Sequence, residues 1–139
     1  MNTDENCIFC KIIQKTVPSS ILYEDNTVLA FLDIKPLSKG HTLVIPKNHY
    51  ADIFDIPKND LQEIYAVTKT LATAIKNATN ADGISIIQQN GKAAGQVIFH
   101  YHVHIVSRFN GLSLPSFTEL NIAERKELDE MAAKIKQHL

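Results

Sequence analysis

The 139-residue chain has no apolar run approaching the ~20 residues that a bilayer-spanning helix needs, so no membrane partner is expected. It has only two cysteines, Cys7 and Cys10, too few for a disulfide framework, and nothing in their use points to an oxidising compartment. The opening MNTDENC is acidic and lacks the basic-then-apolar pattern of a secretory signal, so a cytoplasmic protein is expected. Charge of one sign is also missing. With 14 basic and 15 acidic residues the net charge is -1, which gives no field for wrapping nucleic acid or hugging an anionic surface. Internal repeats, low-complexity tracts and linkers are absent. What remains is an ordinary globular composition, 45% hydrophobic and 21% charged, of a length that fits one domain spanning residues 1–139 with a real core.

The hydrophobic periodicity orders the elements. Ile8, Phe9, Ile12 and Ile13 make residues 6–15 a short amphipathic helix, broken at Val17-Pro18-Ser19-Ser20. Ile21–Glu24 and Thr27–Asp33 form two strands across a tight turn supplied by Asp25-Asn26, and His41–Ile45 a third strand ended by Pro46. Asn59 or Asp60 is predicted to cap a long helix running to about Asn77, with Leu61, Ile64, Tyr65, Thr68, Leu71, Ala72 and Ile75 as its buried stripe. Gly83 opens a fourth strand over residues 84–89, Asn90–Gly95 is a glycine-bounded loop, and Gln96–Arg108 is predicted as one long fifth strand. Asn121 is predicted to cap a last helix over 122–137, with Ile122, Leu128, Met131 and Ile135 apolar. This order predicts an α+β fold with a five-stranded antiparallel sheet.

The segment with most chemistry is Ile98–Val106. Alternation puts His100, His102 and His104 on one face of a strand and Phe99, Tyr101, Val103 and Ile105 on the other. Burying three histidines is costly unless each finds a partner. They could be satisfied or exposed side chains on a sheet face, or an H-x-H metal chelate. Residues i and i+4 on a strand are ~13 Å apart, which disfavours His100 and His104 sharing one ion. The loop just upstream, bounded by Gly91 and Gly95, lets backbone N–H groups approach an anion, as a phosphate cradle requires. Cys7-x-x-Cys10, taken alone, is either a redox pair or two small buried hydrophobes.

The string NG-x-x-x-GQ-x-x-x-H-x-H-x-H from Asn90 to His104 resembles the signature of the histidine-triad (HIT) family. So do C-I-F-C-K-I-I (Cys7–Ile13), A-F-L-D-I-K-P (Ala30–Pro36) and G-H-T-L-V-I-P-K-N-H (Gly40–His49). The resemblance covers residues 7–108 in register and looks closest to the Hint phosphoramidases in their zinc-bearing bacterial form. The C-terminal thirty residues resemble nothing that can be placed.

The resemblance implies hydrolysis or transfer of nucleoside 5′-phosphoryl groups through a nucleotidyl-histidine intermediate. His102 matches the nucleophile and His104 a phosphate-contacting histidine, helped by the backbone of Gly95, Gln96 and Val97. It also implies Asp33 as ribose acceptor, Ile8, Phe9, Phe31 and Ile34 as an apolar base pocket for a purine nucleotide, and Gln89 as an amide reaching ribose or phosphate. Cys7, Cys10, His49 and His100 match a closed structural zinc site, a Cys2His2 set suited to that ion. A homodimer with a continuous ten-stranded sheet is implied as well. His41 matches a position near the site, although a strand-end histidine satisfied by backbone explains it equally. Two residues depart from the Hint pattern. Val97 stands where a serine or threonine is common, which puts amine expulsion in doubt. Ser107 stands where proline is common, with little expected consequence. A dinucleoside polyphosphate hydrolase and a non-catalytic nucleotide- or zinc-binding regulator are the alternatives.

Overall fold

The computed structural model describes residues 2–116 and 120–139. Among them β1 (Ile21–Glu24), β2 (Val28–Leu32), β3 (Thr42–Pro46), β4 (Gly83–Ile87) and β5 (Val103–Arg108) form one sheet in the order β1-β2-β3-β5-β4. All four pairings are antiparallel. Helices α1 (Ile8–Ile13), α2 (Lys58–Thr79) and α3 (Arg125–Lys136) complete the α+β fold expected from the sequence.

The β1–β2 turn closes for the expected reason. The Asp25 Oδ1 accepts from the Thr27 and Val28 N–H groups at 2.7 and 2.8 Å, so the side chain replaces backbone partners that a tight turn cannot supply. Strands β2 and β3 are buried along their whole length, because both faces are covered. Val28, Ala30, Leu32 and Val44 alternate toward α2 and α3, whereas Leu29, Phe31, Leu43 and Ile45 face Phe9, Cys10 and Ile12 of α1. The sheet therefore separates two apolar clusters, and the histidines lie on the α1 side.

Three expectations shift. The fifth strand is half as long as predicted: residues 96–102 are irregular and the ladder starts at Val103. The parity of the run survives, since Tyr101, Val103 and Ile105 pack toward α2 while His100 and His102 contact Phe9 on the other side. Phe99, by contrast, is exposed. Helix α2 starts at Lys58, behind Pro57, with no side-chain cap from Asn59 or Asp60; it ends at Asn80 in the left-handed conformation (φ +56°), a role asparagine tolerates. Its buried stripe runs through Ile64, Val67, Thr68, Leu71, Ala74, Ile75 and Ala78, with Tyr65 outside it. Alanines that let the helix sit close on the sheet complete the stripe, and their small side chains weigh little in a hydrophobic pattern. Helix α3 begins at Arg125 rather than Ile122, and Ile122 is exposed. No helix among the described residues is long and apolar enough to cross a membrane.

Candidate active site and metal cluster

The histidines form two connected groups, and their hydrogen bonds fix where each ring proton lies. The Leu37 N–H donates to Nδ1 of His41 at 3.0 Å, so a neutral His41 carries its proton on Nε2. That nitrogen lies 3.0 Å from Nδ1 of His104 and donates to it, which leaves the His104 proton on Nε2. In His102, Nδ1–H donates to the His100 carbonyl at 2.7 Å, which leaves Nε2 as a bare lone pair. The His102 and His104 rings stand 4.9 Å apart, so one lone pair and one N–H are presented side by side.

Burial favours the neutral form of all three rings. It lowers the His102 pKa against opposing pulls from the His100 carbonyl and Asp33. Burial, reinforced by His102 and His41, pushes His104 down to about 3. His41 is also lowered, again chiefly by burial, with Asp33 acting the other way. A neutral imidazole with an oriented proton is the form that can act as a nucleophile.

The second group joins α1 to the segment ahead of β5. His100 is fully buried, and its Nε2–H donates to the Pro46 carbonyl at 2.8 Å, so its Nδ1 lone pair points inward. There it lies 3.4 Å from Sγ of Cys7, 3.6 Å from Sγ of Cys10 and 3.1 Å from Nδ1 of His49. Sγ of Cys10 is 3.5 Å from Nδ1 of His49, and all four atoms lie within 4.8 Å of one another. A tetrahedral zinc site has N···N edges of about 3.3 Å and N···S edges of about 3.6 Å. The sulfurs also receive backbone N–H groups, Cys10 N–H to Cys7 at 3.4 Å and Asp4 N–H to Cys10 at 3.5 Å, a setting that favours thiolate. Without a cation the Cys10 thiol is pushed up to about 11, mainly by burial. The donor set, the spacing and the carbonyl that orients His100 all fit a closed four-ligand metal site.

Asp33, His41 and His104 also bring three ligand-type atoms together. They do not fit a metal, because the Leu37 N–H occupies Nδ1 of His41 and so keeps a proton on Nε2.

The glycine loop is real, and its donors are fewer than its sequence implies. Lys92–Ala94 form a 3₁₀ turn between Gly91 and Gly95, both at positive φ. The N–H groups of Gly95 and Gln96 are consumed inside the loop by the carbonyls of Lys92 and Gly91. Among the described residues the Val97 N–H, which follows the loop, has no intramolecular acceptor and so is open to an anion. The Gln96 side chain is equally committed. It donates to the carbonyls of Ala51 and Ile98 at 2.7 and 3.1 Å and accepts from Gly91 N–H at 2.7 Å. It braces the loop and offers no free group to a nucleotide. Gln89 lies against Gly95, where a Cβ would come within 2.7 Å of Nε2, and the φ of +91° there favours glycine. The Val97 side chain is 85% exposed.

The expected base-pocket residues separate into a floor and a rim. Phe9 packs edge-on against Phe31 at 5.5 Å and against His102 at 5.2 Å, and both phenyl rings are buried. Ile8 and Ile34 are 40% and 45% exposed although large and apolar, which leaves them open to a flat ligand. Asp33 follows β2; its Oδ1 accepts from Lys35 N–H at 2.9 Å, and Oδ2 lies 3.7 Å from Nε2 of His41. Sequence reasoning left His41 open and expected little consequence from Ser107, which the structure buries completely. The signal for both was a polar residue inside or beside an apolar strand.

The HIT domain model matches residues 14–111 of the chain. The chain belongs to the histidine triad family. A solved Hit-like protein from Bartonella henselae is 38% identical with a TM-score of 0.93, and the match covers 100% of both chains. A zinc-bound histidine triad family protein from Mycobacterium smegmatis is 37% identical with a TM-score of 0.84, over 96% of this chain and 92% of that one. Among characterised relatives, the adenylylsulfatase HINT3 of Arabidopsis thaliana is 37% identical over 137 residues, 96% of this chain and 70% of the relative.

Proposed function

We propose that the protein hydrolyses nucleoside 5′-phosphoryl compounds, AMP-type phosphoramidates first among them, through a nucleotide covalently held on His102. The observation that carries this is the 2.7 Å bond from His102 Nδ1–H to the His100 carbonyl, which aims a neutral Nε2 lone pair outward beside the His104 N–H. The lone pair attacks the α-phosphorus. The P–N bond breaks, and the amine leaves with the electron pair and takes a proton from solvent. Water then attacks phosphorus, the P–Nε2 bond breaks, and the lone pair returns to His102 as AMP departs. His104 Nε2–H and the Val97 N–H donate to the phosphoryl oxygens as charge builds on them. Asp33 accepts from the ribose hydroxyls, Phe9, Phe31, Ile8 and Ile34 hold the base, and Gln89 lines the ribose–phosphate side.

Cys7, Cys10, His49 and His100 would hold a zinc ion, which supplies a structural clamp between α1 and the segment entering β5. Metal analysis of protein purified without chelator should give about one zinc per chain; well under that would sink the zinc assignment. Chelator should not slow turnover in the assay itself, because no step uses the ion.

The exposed Val97 favours one second reading. Without a hydroxyl at this position, a leaving group that departs without a proton is handled better than an amine, and the adenylylsulfatase relative carries a name of that kind. Rates on an adenosine 5′-phosphoramidate and on adenosine 5′-phosphosulfate, for wild type and His102→Ala, test both readings at once. Loss of both activities in the variant supports the mechanism, and their ratio ranks the substrates.

A further inference from the structure

We propose that Ser107 and the C-terminal helix form a clasp that positions Asp33, and that this clasp sets the enzyme's preference for ribose over deoxyribose. The proposal rests on the assignment of Asp33 to the ribose hydroxyls and deepens it.

The segment from Asp33 to His41 returns the chain from β2 to β3. Its own ends are tied by the Asp33 N–H, which donates to the His41 carbonyl at 2.9 Å. Besides the bond from His41 at its end to His104 on β5, hydrogen bonds from outside the hairpin reach the segment at two places. Ser107, on β5, donates through Oγ to the Lys39 carbonyl at 2.7 Å, and the Ser38 and Ser107 hydroxyls are 2.9 Å apart. Ahead of α3, the Ala123 N–H donates to the Ile34 carbonyl at 2.8 Å, one residue from Asp33.

The second tie is itself anchored. Arg125 on α3 donates to Oγ of Ser20 at 2.8 Å, and Ser20 donates to Asp129 of the same helix at 2.6 Å. Ser20 is 3% exposed and lies just before β1, so the helix is locked to the sheet at a buried hydroxyl. Leu128 and Ile135 add apolar contact to the α2-side cluster. Packing alone does not fix the Asp33 segment on that side, because a cavity of about 220 Å³ lies between it and α3, bordered by Pro36, Lys39 and Met131. The hydrogen bonds at Ile34 and Lys39 supply what packing leaves out.

The consequence falls on one carboxylate. Asp33 Oδ1 is already committed to the Lys35 N–H, so small movements of residues 34–35 rotate the carboxylate relative to the base floor at Phe9 and Phe31. A loosened segment still accepts nucleotide through the base and phosphate, but it loses the alignment that rewards a 2′-hydroxyl.

The test is calorimetric binding of AMP and 2′-deoxyAMP to the full chain, with wild type as background, since both are products and carry no leaving group. Wild-type geometry should favour AMP. Ser107→Ala and, separately, Ala123→Pro should weaken AMP by about fivefold, as expected for one neutral hydrogen bond, and leave 2′-deoxyAMP within about twofold, so that the preference shrinks. Ser107→Thr, which keeps the hydroxyl, should retain more of the preference than Ser107→Ala. Melting curves show which variants are folded, and the two sites act independently, so either one suffices. Folded variants that weaken both ligands equally, or neither, overturn the clasp while leaving the nucleotide assignment intact. A wild-type background that binds neither nucleotide overturns that assignment and the clasp with it.

Discussion

At His104 the position of a single proton is decided two side chains away, by the backbone N–H of Leu37 acting through His41. His41→Ala removes that relay and lets the His104 ring present either nitrogen to the phosphate. Turnover should fall about tenfold, roughly 1.4 kcal/mol of transition-state stabilisation, with a smaller change in KM. Steady-state kinetics alongside a melting curve check this; an unchanged kcat in a folded variant would show that the relay is idle. These roles were only partly legible in the sequence. The parity of the histidine run was readable because it depends on neighbouring residues alone, and it outlasted the loss of regular strand over residues 96–102. The tasks of His41, Gln96 and Ser107 depend on partners 63, 45 and 68 residues away, which only the folded chain brings together.

Among the elements, α1 is the piece most dependent on ties other than its own length, since six residues cannot hold a helix unaided. The cluster of Cys7, Cys10, His49 and His100 lies at its N-terminal end, where the proposed zinc would secure it. Past its C-terminal end, Lys15 donates to Glu24 on β1 at 2.8 Å, and Lys47 after β3 reaches the other oxygen at 2.8 Å. Lys15 first and then Lys47 hold the Glu24 carboxyl below its ordinary value of 4.5. A depressed carboxylate stabilises the fold fully above its unfolded value and loses that contribution as pH falls through the folded value. The stability gap between wild type and Glu24→Gln should therefore be present at pH 7 and close below about pH 4. Because Glu24 is partly exposed, the gap should stay within about 1 kcal/mol. Urea melts at several pH values measure it, and a gap that persists or widens in acid would contradict the sign. The element pattern itself was largely readable, since period 2 and period 3.6 are local properties. Both long-helix starts were misplaced because Pro57 and Glu124 begin α2 and α3 without the capping side chains that a sequence reader looks for.

For the molecule as a whole, the sheet has one edge that invites company. Among the described residues strand β4 pairs only with β5, and its other side carries unpaired backbone next to Ile86, which is 43% exposed. Pairing of two β4 edges would give the ten-stranded sheet that the family resemblance implies, so light scattering at micromolar concentration should report the mass of two chains. Ile86→Lys, placed on that edge, should shift the equilibrium toward one chain. A sharp single-chain mass for the wild type would end the dimer proposal without touching the site, whose histidines, glycine loop and proposed zinc ligands all belong to one chain.

The claim on which the rest depends is that His102 forms a bond to phosphorus. Wild-type protein and His102→Ala are mixed with an adenosine 5′-phosphoramidate in chelator-containing buffer, quenched within the first turnover and digested for mass mapping, with AMP release followed in parallel. The mechanism predicts one adenylyl group on the peptide that carries His102 in the wild type, and neither adduct nor AMP release in the variant. Sustained AMP release by His102→Ala, or an adenylyl group mapped to another residue, would contradict it.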